Sequence, residues 1–548
     1  MTTTGGRLVV DTLVAHGLTT GFGVPGESYL PVLDALYDLQ DRFRLITTRH
    51  EGAAAFMAEA WGKLTGEPGV CLVTRGPGAT NAAIGVHTAA QDSSPMLLLV
   101  GQVPTAHRGR EAFQEMDYQQ FYGDVAKRVI ELDDPDRCGE LVAEALAVAL
   151  ADRPGPVVVS MPEDVLSATT SAEPTPPRAV EPTPVPPAAA DRVVAEFEAS
   201  TRPLLLVGGR PWSDTDRATL ASFAGANDVP VVAAFRFHDL CDNTAACYVG
   251  EAGVAMPDAV RTTLADSDLI VAVGARFGEM TTDQWRLITA PRAEQRIVHV
   301  HPSRAELGRV VTPDVAIEAS PAALLEAIGD RRLARSPVRA SWRRDRRAAF
   351  EAALECPPQP GALDLGDVFA WLRSHLPDDV VITNGAGNFT VWPNKYLLYG
   401  PRARLLAPQS GAMGYGLPAA LAAAAAHPDR TVVCVAGDGD LQMTVAELGT
   451  AVQHGLRVIV LVVDNGMYGT IRMHQARRHP GRAVGTELAN PDFVALARAY
   501  DLHAECVDRT GAFPAAWRRA LAAPPGAVLQ LTVDPRALTP RQTLDDLE

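Results

Sequence analysis

Cysteine is scarce in this chain: seven in 548 residues, at positions 71, 138, 241, 247, 356, 434 and 506. The number is odd and no C-x-x-C pair occurs. That argues against a disulfide framework or a structural zinc site and fits reduced thiols in a cytoplasmic protein. Long apolar runs are missing too. Leu417 to Ala426 and Val458 to Val463 fall far short of the ~20 residues a membrane span needs. Met1 to Gly6 is polar, with no basic stretch leading into an apolar one, so no secretory signal is expected. Basic charge is in deficit, since 49 Lys and Arg against 65 Asp and Glu leave −16. A general nucleic-acid binder needs a basic face to neutralise phosphates, and this balance argues against one. Anionic small substrates stay open, because a pocket can be basic on an acidic protein. Two adjacent histidines occur nowhere.

What is there is ordinary for a protein with a sizeable core: 47% hydrophobic and 21% charged residues. At ~150 residues per domain the length suggests three to four domains. Two breaks divide the chain. Ala172 to Ala190 is proline-rich and is expected to run extended, as neither helix nor central strand. Cys356 to Gly361 (CPPQPG) follows a charged helical stretch. The expected units are 1–171, a linker over 172–190, then 191–355 and 356–548. Each alternates short Val/Ile/Leu runs with Ala-rich helical stretches, the pattern of buried parallel strands joined by helices. Strands are expected at Gly69 to Val73, Met96 to Val100 and Pro156 to Ser160. The middle unit adds Pro203 to Val207, Val229 to Ala233, Leu269 to Val273 and Arg296 to Val300. The last adds Val380 to Thr383, Thr431 to Ala436, Val458 to Val463 and Ala527 to Leu531. The fold class read from this is α/β, with three doubly wound parallel-sheet domains in tandem, whose ligands bind beyond the carboxyl ends of the strands.

Gly437-Asp438-Gly439-Asp440 follows one such strand, and Asp464-Asn465-Gly466 follows the next. The glycines let backbone approach a ligand closely. A carboxylate, an amide oxygen and nearby carbonyls are hard ligands suited to magnesium on a diphosphate. Near the N-terminus come Phe22-Gly23-Val24-Pro25-Gly26-Glu27, then Arg49-His50-Glu51, then Gly76-Pro77-Gly78-Ala79-Thr80-Asn81. Taken singly, each is also readable as a turn or a helix start.

Together, and in this order, these motifs resemble the thiamine diphosphate-dependent decarboxylase and carboligase superfamily, and within it the acetolactate synthase branch. The resemblance covers essentially the whole chain as pyrimidine-binding, middle Rossmann-like and diphosphate-binding domains. It implies thiamine diphosphate and Mg2+ as cofactors, with Asp438, Asn465 and the Met467 carbonyl as metal ligands. Asp464 stands where the family usually has an asparagine. Glu51 matches the activating glutamate, which hydrogen-bonds the aminopyrimidine ring and drives the tautomer that removes the thiazolium proton. Gln409 to Gly416 resembles the segment that bends the cofactor, with Met413 as the wedge and the Gly411 carbonyl as an acceptor. Gly387 and Asn388 look like the remaining diphosphate loop. Pro25, Asn81, Gly437, Gly439, Asp440, Tyr468, Gly469 and Thr470 complete the implied cofactor contacts.

Phe113 and Gln114 stand where simple pyruvate decarboxylases carry adjacent histidines, which favours an enzyme that waits for a second carbonyl. They join Glu51, Glu27 and Lys127 as the implied catalytic set. Glu27 brings a carboxylate to a place where the branch has small residues, and His474 stands where biosynthetic members have a tryptophan. The implied reaction decarboxylates a 2-oxo acid, pyruvate in the family's pattern, and passes the fragment to a carbonyl acceptor; a decarboxylase or lyase releasing a free aldehyde is the alternative. The implied assembly is a homodimer or homotetramer with sites between subunits. Leu206-Val207-Gly208-Gly209-Arg210 and Gly274-Ala275-Arg276-Phe277 resemble the branch's non-catalytic FAD site. They lack a third glycine, so a vestigial Rossmann-like domain is preferred to a bound FAD.

Overall fold

The computed structural model describes residues 2–178 and 183–547. It contains three six-stranded sheets, every pairing in them parallel. The first has β1 Thr20–Gly23, β2 Arg44–Thr47, β3 Gly69–Val73, β4 Met96–Gln102, β5 Arg128–Glu131 and β6 Pro156–Pro162, in the order β2-β1-β3-β4-β6-β5. The middle sheet has β7 Pro203–Val207, β8 Val231–Ala234, β9 Tyr248–Ala252, β10 Leu269–Val273, β11 Arg296–His301 and β12 Val315–Glu318, in the order β9-β8-β7-β10-β11-β12. The last has β13 Val381–Asn384, β14 Arg404–Leu406, β15 Val432–Gly437, β16 Ile459–Asp464, β17 His503–Val507 and β18 Ala527–Thr532, in the order β14-β13-β15-β16-β18-β17. First and last sheets thus share one topology, while the middle one follows the dinucleotide-fold order.

The central strands are the ones expected from sequence, because they are buried on both faces and read as continuous apolar runs. Seven strands of these three sheets were not expected: β1, β2, β5, β9, β12, β14 and β17. Most lie at or next to a sheet edge, and several are interrupted by Gly, Arg or Glu, which hides the run. The linker also needs correction. A helix spans Pro187–Ala199, so 187–190 are helical rather than extended. Pro187 occupies the first helical position, where its missing N–H has no partner to lose. Residues 179–182 of the expected linker lie outside the described residues.

The N-terminal and C-terminal domains share one continuous core. Helix Glu51–Thr65 packs on helix Gly416–Ala426 through alanines, and on helix Pro77–Asp92 so closely that a Cβ at Gly85 would stand 2.3 Å from that of Ala55. Inside this contact lies a buried ion cluster. Lys63 Nζ donates to Asp92 and to the Ala407 carbonyl (3.0 Å) and stands 3.1 Å from Glu59. Glu59 accepts from Ser94 and Tyr415, and burial pushes its carboxyl up. Lys63→Met would leave two buried carboxylates without their cation, which costs about 3–5 kcal/mol. We expect a lowered urea midpoint in an equilibrium unfolding titration; a parent-like midpoint would mean the cluster is not ionised as drawn.

Candidate active site

Three adjacent strand ends build each half of the site. On the C-terminal sheet, β15 runs into Asp438, 3% exposed. Its Oδ1 accepts from the Gly439 N–H (2.9 Å), and its Oδ2 from the Gly466 N–H (2.8 Å) and Asn490 Nδ2 (2.7 Å). Asp464, at the end of β16, also takes Asn490 Nδ2 (2.8 Å) and accepts from Gln530 Nε2 (2.7 Å). Burial pushes the Asp438 carboxyl up, and the charge of Asp464 adds to it. A divalent cation would supply the counter-charge this pair lacks. Asp438, the Asn465 amide oxygen and the Met467 carbonyl are hard oxygen donors of the kind magnesium takes, so the donor set fits the ion that the motif implies. Asn490 was missed in the sequence. It precedes Pro491, where Asn-Pro reads simply as a turn.

These groups wall a cavity of about 210 Å³. Gly387, Asn388, Gly411, Met413, Gly437, Asp438, Gly439, Asp440, Asn465, Met467, Tyr468, Gly469 and Thr470 all line it. Its glycines are close-approach positions: a Cβ on Gly439 would stand 2.6 Å from the Tyr468 ring. Asn388 Oδ1 accepts from Thr470 Oγ1 at 2.8 Å, joining two of the loops. Asp440 braces two others, accepting from Gly414 N–H (2.9 Å) and Ala386 N–H (3.3 Å). Its other oxygen is buried without a partner among the described residues, and burial pushes the carboxyl up to about 7.

On the N-terminal sheet, the ends of β2, β1 and β3 carry Glu51, Pro25 to Glu27, and Arg75 to Asn81. Asn81 Nδ2 donates to Glu51 Oε2 at 2.9 Å. Pro25 belongs to a turn held by Tyr29, whose hydroxyl donates to the Val24 carbonyl (2.6 Å). Gln114 has φ +65°, and its carbonyl lies where a Gly76 Cβ would come within 2.8 Å, so the Phe113–Gln114 turn rests on the end of β3. Phe113 is 73% exposed. Lys127 does not join this group. Its ammonium donates to the Val148 and Ala151 carbonyls at the C-terminal end of helix Cys138–Leu150 (2.6 and 2.7 Å), in a cleft facing the middle domain. Burial lowers it to about 8.

Within one chain the two halves stand apart. No N-terminal residue lines the diphosphate cavity. Ser410, beside Gly411, meets Thr88 at 3.0 Å, seven residues along the helix from Asn81, about 10 Å at 1.5 Å per residue. One contact does join the domains behind Glu51, and sequence reasoning missed it. Glu447, fully buried, accepts from the N–H groups of Arg49 and His50 (both 3.1 Å) and from Thr450 Oγ1 (2.5 Å). It therefore holds the turn that presents Glu51; as a glutamate inside a helical stretch it gave no signal.

The middle-domain glycines have a packing role. A Cβ on Gly209 would stand 2.4 Å from the Gly274 carbonyl, and one on Gly274 2.5 Å from that of Gly208. Arg210 pairs with Asp239 (3.0 Å), and Arg276 donates to Gln91 and Gln409. The residues that resemble an FAD site are thus engaged in packing and in domain contacts.

Comparisons with known proteins cover nearly the whole chain. Residues 3–121 match the thiamine pyrophosphate enzyme N-terminal TPP binding domain, 190–328 the central domain and 385–531 the C-terminal TPP binding domain. The chain is 36% identical to the acetolactate synthase large subunit of Parasynechococcus marenigrum, over 91% of its own length and 82% of that protein's. It is 31% identical to the acetolactate synthase isozyme 2 large subunit of Escherichia coli, over 97% and 95%. To the acetolactate synthase of Arthrospira platensis it is 32% identical, over 91% and 89%.

Glu447→Ala would strand two backbone donors, at about 1–3 kcal/mol for each buried group. We expect a lower urea midpoint and turnover down at least about tenfold, with Glu447→Gln recovering part because it keeps an acceptor oxygen. Parent-like turnover in the alanine variant would show that the Glu51 turn holds without Glu447.

Proposed function

We propose that this chain, which belongs to the thiamine pyrophosphate enzyme family as an acetolactate synthase-like member, decarboxylates a 2-oxo acid, with pyruvate as donor, and transfers the remaining fragment to a carbonyl acceptor using magnesium beside its thiamine diphosphate. Membership makes it a thiamine diphosphate-dependent enzyme that forms C–C bonds. The observation that carries the finer reading is the donor set itself: Asp438, Asn465 and the Met467 carbonyl at one end, Glu51 oriented by Asn81 at the other.

Thiamine diphosphate, when bound, supplies the electron sink that lets carbon dioxide leave. The chain's residues bind and orient. Asp438, Asn465 and Met467 would hold the metal, while Gly387, Asn388, Gly439 and the 468–470 turn offer backbone to the diphosphate. Met413, an apolar side chain on the cavity wall, would be the wedge against the cofactor. Glu51, its carboxyl kept oriented by Asn81, would hydrogen-bond the pyrimidine end. The Phe113–Gln114 turn rests on Gly76 at the end of β3, on the same sheet edge as Glu51. A lyase releasing free aldehyde is favoured by one observation, the exposed Glu27 carboxylate in the loop after β1, the strand beside the one that leads to Glu51.

The separation of the two halves supports a homodimer or homotetramer in which Glu51 of one subunit serves Asp438 of another. Exposed Ile84 and Phe113 on one half, and Met443 and Ile471 on the other, are apolar surface that such an assembly would cover. No helix among the described residues is long and apolar enough to cross a membrane. All seven cysteines are free, which supports a reducing, cytoplasmic setting.

Two experiments test the proposal. Purified protein with thiamine diphosphate and magnesium should convert a panel of 2-oxo acids and aldehydes into mass-identified carboligation products; no turnover of any 2-oxo acid would refute it. For the shared site, Glu51→Gln and Asp438→Ala proteins should each be inactive. Subunits exchanged between them should recover about a quarter of the parent rate, because half the dimers are mixed and each holds one intact site. No recovery despite confirmed exchange would place both residues in one chain's site.

A further inference from the structure

Between β14 and helix Gly416–Ala426 the chain leaves the core and returns to it. Ala407 and Pro408 are buried, Gly411 is exposed, and Gly414 to Gly416 are buried again. At its outer part this loop presents Gly411 and Met413 to the diphosphate cavity. A bond from the Gly411 N–H to the Pro408 carbonyl (3.1 Å) closes one turn of it. Gly411 and Gly414 stand at φ +67° and +80°, a region glycine enters freely, so the loop backbone has little stiffness of its own.

The stiffness comes from the N-terminal domain. At the loop's entry, Lys63 Nζ donates to the Ala407 carbonyl (3.0 Å), and Asp92 Oδ1 accepts from the Gln409 N–H (2.7 Å). At its exit, the Tyr415 hydroxyl donates to Glu59 Oε2 at 2.5 Å. Between them the Ser410 and Thr88 hydroxyls meet at 3.0 Å. Asp92 and Glu59 turn their remaining oxygens to Lys63, so entry and exit are tied through one cation. Its side chain is 4% exposed and those of the two carboxylates are fully buried. A buried polar network whose members are all partnered specifies one arrangement, because each bond is directional and no water competes for it. Glu59 and Lys63 are one turn apart on helix Glu51–Thr65, and Thr88 and Asp92 one turn apart on helix Pro77–Asp92, so two helix faces converge on the loop.

Resting on the function proposed above, we infer that Lys63 is a positioning residue for the cofactor: through Glu59 and Asp92, and directly at Ala407, it holds the 407–415 loop so that Gly411 and Met413 stand where thiamine diphosphate meets them. Lys63 itself does not line the cavity, and its effect is carried by the loop. One helix thereby serves two sites. Its first residue, Glu51, is offered outward, and three turns on it carries the cation that shapes the diphosphate half of its own chain.

The test compares parent, Lys63→Met, Tyr415→Phe and a control, Leu146→Ala, which opens a cavity in the N-terminal core on helix Cys138–Leu150. Tyr415→Phe keeps the ring and removes only the exit tether, so it decides the matter if Lys63→Met does not fold. The first readout is hydrogen–deuterium exchange in the full-length apoprotein. A peptide spanning 407–416 should exchange at least about fivefold faster in Lys63→Met and about twofold faster in Tyr415→Phe, the scale of one net hydrogen bond. A peptide over β18 should stay within about twofold of the parent. The second is calorimetric titration with thiamine diphosphate and magnesium, where Kd should rise by the same factors. In Leu146→Ala both readouts should stay within about twofold of the parent, although its urea midpoint falls. Parent-like exchange or parent-like Kd in both loop variants would overturn this inference alone, and so would equal changes in Leu146→Ala, which would make the effect one of general destabilisation. A parent that binds no thiamine diphosphate would overturn the proposed function and this inference with it.

Discussion

Alanine against alanine, between helix Glu51–Thr65 and helix Gly416–Ala426, is the contact on which the rest of the molecule depends. Small side chains let the helices approach closely, and close packing of this kind does not deform continuously. It fixes the N-terminal sheet against the C-terminal one at a single offset. That offset carries Glu51 to an open face and leaves the diphosphate cavity of the same chain without an N-terminal wall. Glu447 reinforces it from behind, gripping the turn before Glu51.

Three carboxylate pairs among the described residues bear on this arrangement, and what each pair shares differs. Glu59 and Asp92 share Lys63 deep in the domain contact. Glu27 and Glu163 share Arg75 beyond the end of β3. Asp438 and Asp464 share two neutral donors, the Asn490 amide and the Gly466 N–H. Burying a charge is expensive unless it is paired with an opposite one. The first two pairs carry their cation in the chain. The third does not, and it sits in the glycine-lined cavity where diphosphate-bound magnesium would bring one. The Asp464 departure from the family's asparagine is accommodated because Gln530 and Asn490 supply donors to both of its oxygens.

Much of this was legible in the residues. The strands buried on both faces announce themselves as apolar runs, and β3, β7 and β10 begin and end where the runs do. The six edge strands, and β1 beside one of them, were not legible, since Gly, Arg or Glu breaks the apolar pattern in several of them. The helix beginning at Pro187 was hidden for another reason. Proline read as a breaker is a good helix-starter when it stands first. The diphosphate residues were legible because their chemistry needs consecutive positions on one turn. Asn490, Glu447 and Arg75 were not, because each acts across 38 or more residues of chain, on Asp438, on Arg49 and His50, and on Glu27 and Phe113.

By itself the sequence determined the three-sheet plan, the ends of the buried strands, and the turns that offer a carboxylate, an amide and bare backbone to a diphosphate. These are local matters of periodicity and of side-chain chemistry at a strand's carboxyl end. Only the tertiary structure decided that Lys127 caps the end of helix Cys138–Leu150, that Glu27 is held by a buried arginine, and that no N-terminal residue of the same chain lines the diphosphate cavity. Those outcomes depend on which distant segments pack together, and packing is settled by the fit of whole surfaces rather than by any run of neighbouring residues.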